Sequence, residues 1–93
     1  MRIRWTTPAA DDLTNVSDYL RQQAGPIVAR RVALSIYKCA GSLAKFHQRG
    51  RTGHKAGTRE LMVTGLPYVI VYRVQDAAVE ILRIVHGARD WRH

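Results

Sequence analysis

Two periodicities of apolar residues divide the chain, and the change falls near residue 57. From Gly57 to Trp91 the sequence reads GTRELMVTGLPYVIVYRVQDAAVEILRIVHGARDW. Short runs rich in β-branched and aromatic residues, separated by turn signals, predict strands. The separators are Thr64-Gly65-Leu66-Pro67 and Gln75-Asp76-Ala77-Ala78. The segment therefore predicts a three-stranded antiparallel meander. With Gly65-Leu66 as turn residues, Val63 faces Tyr68, Leu61 faces Ile70 and Arg59 faces Tyr72. With Asp76-Ala77 as the second turn, Tyr72 faces Ile81, Ile70 faces Arg83 and Arg73 faces Glu80. Alternation then places Arg59, Leu61, Tyr68, Ile70, Tyr72 and Arg83 on one face. Met62, Val69, Val71, Leu82, Ile84 and His86 fall on the other. Both faces are mainly apolar, and a one-residue slip exchanges them.

The first half has helical spacing, after a short strand from Arg2 to Thr6 with Ile3 and Trp5 on one face. Thr7 is placed as an N-cap, Pro8 suits the first helical position, and Asp11 and Asp12 complement the helix dipole. Leu13, Val16 and Leu20 form the buried stripe of this helix. Gly25-Pro26 ends it and opens a second helix to about Lys45. Val28, Val32, Ile36, Cys39 and Leu43 form the second stripe. Two helices joined by so short a break predict an antiparallel hairpin. Residues 46–57 (FHQRGRTGHKAG) read as a glycine-rich basic loop. The expected fold is α+β in the order β-α-α-β-β-β, with one domain over residues 1–93. The N-terminal strand is an edge of the sheet formed with the meander. Two helices cover one sheet face only, which leaves an apolar second face, rimmed by arginine, for an amphipathic acidic segment of a partner.

Charge strengthens that expectation. Fifteen Lys and Arg against seven Asp and Glu give a formal net charge of +8. Between Tyr19 and Arg59 there are nine basic residues and no acid. Such a field attracts a polyanion: nucleic acid, an anionic membrane or an acidic protein. Cys39 is the single cysteine, so no intrachain disulfide can form, in keeping with a reducing cytoplasm. No apolar stretch follows Met1, and no apolar run approaches the roughly 18 residues of a membrane span. A cytoplasmic protein without a membrane is expected.

The chemistry offered is limited. The four histidines and one cysteine have no metal-ligand spacing, so neither a metal nor a cofactor is expected. No phosphate-binding GxxxxGK[ST] pattern occurs, and no Ser-His-Asp or Cys-His signature is visible. Metal-free RNA cleavage stays open, because it needs only a proton-exchanging group and cations for the phosphorane charge. His86, Arg59, Arg83 and Arg89 are the candidates, with Trp91 or a tyrosine to stack a base. A structural role for each is the alternative: a strand-end histidine, cross-strand ion pairs, and an aromatic that closes the core.

Five motifs together resemble the RelE/ParE toxin superfamily of type II toxin–antitoxin systems. They are Trp5-x-x-x-Ala9-Ala10-x-Asp12-Leu13, Gly50-Arg51-x-Gly53, Gly57-Thr58-Arg59-Glu60-Leu61, Tyr68-x-Ile70-x-Tyr72-Arg73-Val74, and Ile81-Leu82-Arg83-x-x-His86-Gly87-Ala88-Arg89-Asp90-Trp91. The resemblance spans nearly the whole chain. It implies a small basic toxin in a hetero-oligomer with an acidic antitoxin, ParD-like or similar. Arg59, Leu61, Tyr68, Ile70, Tyr72 and Arg83 are then the antitoxin-binding candidates. His86, Arg89, Trp91, Arg51 and Lys55 are the target-contact candidates. RelE-like members cut mRNA on the ribosome, whereas ParE-like members inhibit DNA gyrase. RelE-like members often carry an arginine directly after the tyrosine that opens the middle strand, and here that residue is Val69. Their lysine-rich run is reduced to Lys55. The resemblance therefore favours the ParE-like branch, with a ribosome-dependent ribonuclease as the alternative and a non-toxic nucleic-acid-binding module as the second.

Overall fold

The structure is a computed structural model, and it describes residues 1–89. Seven elements follow in order: β1 (Arg2–Trp5), α1 (Thr7–Ala24), α2 (Pro26–Ser42), β2 (Arg51–Thr52), β3 (Arg59–Met62), β4 (Tyr68–Gln75) and β5 (Ala78–His86). They form one sheet of order β1-β5-β4-β3-β2. The α+β class, the helical hairpin and the meander are as expected. The two-residue strand β2 is an addition. It pairs antiparallel with β3 inside the segment read as a loop.

Strand β1 is an edge, and it runs parallel to β5, with Ile3 opposite Val79 and Trp5 opposite Ile81. The chain passes from this edge into α1 through Thr6. This residue, rather than Thr7, is the N-cap. Its hydroxyl accepts from the Ala9 amide (3.3 Å) and donates to the Ile81 carbonyl (2.8 Å). One side chain thus caps the helix and ties its start to the sheet. With the cap one residue earlier, the first turn contains no acid, and Asp12 is available for a different contact. Gly25 separates the helices at φ 92°, in the left-handed region that favours glycine. Its amide closes α1 onto the Arg21 carbonyl, and its own carbonyl accepts from Ala29 in α2.

The first hairpin has the expected register, with Arg59 opposite Tyr72 and Leu61 opposite Ile70. Its turn is centred one residue earlier than expected. The Leu66 amide bonds to the Val63 carbonyl, which places Thr64 and Gly65 at the bend, with Gly65 at φ 76°. In the second hairpin Asp76 and Ala77 both have positive φ, as a two-residue turn matched to strand twist requires.

Near that turn the register is also as expected: Tyr72 pairs with Ile81 and Arg73 with Glu80. A β-bulge between Val71 and Tyr72 then shifts it. Ile70 pairs with Ile84, not with Arg83, and Tyr68 pairs with His86. A bulge inserts one residue into one strand, so every side chain beyond it changes face.

The core records this exchange. Tyr68, Ile70, Tyr72, Val79, Ile81 and Ile84 pack with Ala9, Ile36, Ala40 and Leu43 of the helical layer. Val69, Val71 and Val85, with Leu82, form a separate small cluster that contains no helix residue. All three valines are nonetheless buried. Two buried carboxylates, Glu60 and Glu80, hold arginines at the sheet: Arg51 with Glu60, and Arg73 and Arg4 with Glu80. The second face expected to be open is therefore largely filled by the valine cluster and its flanking ion pairs. Its open part is at Met62, which is 60% exposed beside a hollow of about 350 Å³ lined also by Pro67, Val69 and Ala88.

Candidate functional site

The end of β5 gathers the first group of candidates. His86 meets Tyr68 edge to face at 5.7 Å, a direct result of their pairing beyond the bulge. The β5 strand turns after His86, and the Ala88 amide donates to His86 Nδ1 (3.3 Å). That contact leaves the proton of a neutral imidazole on Nε2. His86 and Arg89 line a hollow of about 270 Å³ together with Asp12, Asn15, Tyr19 and Tyr68. Burial pushes the Tyr68 hydroxyl above its ordinary pKa. The nearby Arg89 charge opposes the shift and Tyr19 adds to it.

Arg83 reaches the same region from β5 but faces helix α1. Its guanidinium forms a two-point ion pair with Asp12, Nε to Oδ2 at 2.7 Å and Nη2 to Oδ1 at 3.0 Å. Asp12 Oδ2 also accepts from the Ile84 amide (2.9 Å).

Arg59 lies at the other end of the meander. Its Nη1 donates to the Gly50 carbonyl at 2.8 Å and to the Gln48 carbonyl at 3.4 Å. The buried Tyr72 hydroxyl works on the same loop: it accepts from the Gly50 amide and donates to the His47 carbonyl, both at 2.8 Å. The two side chains opposite each other across β3 and β4 thus hold residues 47–50 in place. A Cβ at Gly50 would lie 2.6 Å from the Tyr72 hydroxyl, so the close approach itself requires glycine.

Of the four ribonuclease candidates, His86 and Arg89 share a hollow and Arg83 borders it through Asp12. Arg59 is held by the loop. Among the target-contact candidates, Arg51 pairs with Glu60 (3.3 Å) and Lys55 is exposed. Trp91 lies outside the described residues.

The antitoxin-binding candidates divide differently from expectation. Tyr68, Ile70 and Tyr72 are buried against the helices, and Leu61 packs at the margin of the same core. Arg59 and Arg83 are engaged with the loop and with Asp12. These residues build the fold, and a partner can reach the buried ones only by displacing α1 and α2.

Exposed apolar side chains also lie on the helical hairpin. Ile27, Leu34 and Tyr37 are 73%, 42% and 58% exposed. Leu34 and Tyr37 border a groove of about 570 Å³ between α1 and α2, flanked by Arg21 and Arg30. The signal was present in the sequence: residues 27, 34 and 37 form a second apolar stripe on α2, apart from the Val28-to-Leu43 stripe. Tyr37 stacks on Trp5 of β1 with ring centroids 6.0 Å apart.

Known proteins agree with this architecture. The family model described as "ParE toxin of type II toxin-antitoxin system, parDE" matches residues 3–91. "Toxin RelE2" of Caulobacter vibrioides is 46% identical over 88 residues, covering 95% of this chain and 97% of that protein. "Putative toxin Y4kP" of Sinorhizobium fredii is 37% identical over 90 residues, covering 97% and 92% respectively. A solved structure, "Chromosomal ParDE TA system from P. aeruginosa", superimposes with a TM-score of 0.87 at 28% identity, over 92% of this chain and 95% of that one. The strand, helical hairpin and meander, with the match over nearly the full length, establish that the chain belongs to the ParE toxin family of type II toxin–antitoxin systems.

Proposed function

We propose that this type II toxin arrests growth by inhibiting DNA gyrase, and that an acidic antitoxin neutralises it by seating a helical segment in the groove between α1 and α2. The observation that carries the gyrase reading is the commitment of two candidate phosphate-holding arginines. Arg83 is fixed to Asp12 and Arg59 to the carbonyls of Gly50 and Gln48. A metal-free nuclease needs cations directed at the reacting phosphate. Here these two serve the fold, and Val69 stands in the middle strand where RelE-like nucleases often carry arginine.

The groove suits the antitoxin on two grounds. It is a part of the described surface where large apolar side chains collect, and Arg21 and Arg30 beside it favour an acidic segment. Charge reversal at Arg21 and Arg30 should weaken toxin–antitoxin binding at least tenfold, whereas reversal at exposed Lys55, between β2 and β3 at the far edge of the sheet, should leave it nearly unchanged.

The ribonuclease reading keeps one favourable observation: the hollow that holds His86, Arg89 and Tyr68 together. The two readings separate in purified systems. A gyrase inhibitor blocks supercoiling by gyrase and induces a DNA-damage response. A ribosome-dependent nuclease leaves gyrase untouched and produces cuts in ribosome-bound mRNA. Cuts with unimpaired supercoiling overturn the gyrase assignment.

A further inference from the structure

The loop that leaves α2 is unlike an ordinary connector. Residues 45–49 (Lys-Phe-His-Gln-Arg) curl round a hollow of about 380 Å³ that they line by themselves. Phe46 is 54% exposed, an unusual position for the only phenylalanine in the chain. The Lys45 ammonium sits 5.9 Å from its ring centroid, close enough to favour a cation over the aromatic face. Arg49 donates to Ser42 Oγ (3.0 Å) and stays exposed.

The backbone beneath these side chains is fixed rather than free. Tyr72 holds the His47 carbonyl and the Gly50 amide, and Arg59 holds the Gly50 and Gln48 carbonyls. The fold therefore presents Lys45, Phe46 and Arg49 on a pre-set platform. A pre-set platform lowers the ordering cost of binding.

We infer that the Lys45–Arg49 loop is a docking site for a single strand of nucleic acid, with a base stacked on Phe46 and the adjoining phosphates held by Lys45 and Arg49. The chemistry argues for this occupant over a protein. An exposed aromatic between two cations matches the alternation of base and phosphate along a strand. The sequence from Tyr19 to Arg59 contains no acid that would repel a phosphate. A strand with splayed bases can place one ring on Phe46, whereas a stacked duplex cannot. The inference does not depend on the gyrase reading, because the binding belongs to the toxin alone.

The test uses the purified toxin and a fluorescently labelled 12-nucleotide oligothymidylate, followed by anisotropy at two salt concentrations. Phe46→Ala should weaken binding by roughly 5-fold or more, the range expected for loss of one stacked base. Phe46→Trp should restore it, which separates stacking from a general structural defect. Lys45→Glu with Arg49→Glu should weaken binding at least tenfold and flatten its salt dependence. Arg31→Glu with Lys38→Glu makes the same change in net charge at exposed positions of α2, and it should cost less than threefold. Circular dichroism confirms that each variant folds. Equal losses from the two charge-reversed pairs, or full binding by folded Phe46→Ala, mean a diffuse electrostatic attraction and overturn the site.

Discussion

Asp12 and Arg83 are 71 residues apart in sequence and share a two-point ion pair, with contacts of 2.7 and 3.0 Å. The same carboxylate accepts the Ile84 amide of the bulged strand. Asp12 is therefore a second polar tie between α1 and β5, beside that of Thr6, placed where the strand register has just shifted. Asp12→Ala removes all three bonds and leaves the Ile84 amide unpaired. The expected cost is about 2–3 kcal/mol, or a fall in melting temperature of roughly 4–8 °C for each kcal/mol in a domain of this size. Arg83→Lys keeps the charge but loses the fork geometry, and it should cost less. A thermal melt of each variant checks the order. Equal stability of Asp12→Ala and the parent would remove Asp12 from the fold's supports.

The Tyr72 hydroxyl predicts a local rather than a global effect. Tyr72→Phe leaves the His47 carbonyl and the Gly50 amide without their partner. A loss of about 1–3 kcal/mol follows from such unpaired buried groups. Hydrogen exchange should then accelerate first in residues 47–50, ahead of the helices. Gly50→Ala tests the same contact from the other side: its methyl group meets the Tyr72 ring and hydroxyl, so it too should destabilise. Uniform acceleration across the chain argues against a tyrosine-held loop.

Glu80 tests how a buried charge is kept. It is almost fully buried and has two exposed arginine partners, Arg73 at 2.6 Å and Arg4. Each single arginine-to-methionine change leaves one cation on the carboxylate. Changing both leaves the charge bare, so the double variant should lose more than the sum of the singles, by about 0.5–3 kcal/mol. Adding Glu80→Leu to that double variant should recover part of the loss, because the unpaired charge is gone. Denaturant titration of the set gives the coupling directly, and strict additivity contradicts it.

Tyr68 sets the alkaline response. Burial raises its hydroxyl pKa in the folded chain, so the folded state holds that proton more tightly than the unfolded chain does. The resulting stabilisation is complete below the ordinary tyrosine value of about 10. It is lost as pH rises through the higher folded value. The stability difference between the parent and Tyr68→Phe should therefore be flat from pH 7 to 9 and move in favour of the phenylalanine variant above about pH 10. Paired chemical melts across that range measure it. A change already complete near neutral pH would contradict a tyrosine origin.

Much of this architecture follows from local pattern. Apolar spacing and the Gly25-Pro26 break are enough to define the helical hairpin. Turn residues and alternation give the first hairpin's register, including Leu61 opposite Ile70. These features depend on neighbours in the chain, and so they are legible in sequence. The motifs from Trp5 to Arg89 likewise suffice to mark the toxin superfamily.

The placement of the site did not follow from pattern, and one residue explains most of the difference. No turn residue announces the bulge between Val71 and Tyr72. It moves Ile84 and His86 to the helix side and Val85 to the other. Alternation counted without it sends Arg83 across from Ile70 and misassigns each face beyond. Burial then decides the rest. Tyr68, Ile70 and Tyr72 have the composition of a docking surface, yet the helices take that surface for the core. Ile27, Leu34 and Tyr37 remain outside because α2 can turn only one stripe inward. The elements, their order and the excess of positive charge are local properties, readable along the chain. Which apolar face is filled and which arginines are engaged emerge on folding, because both depend on contacts between residues far apart in the chain.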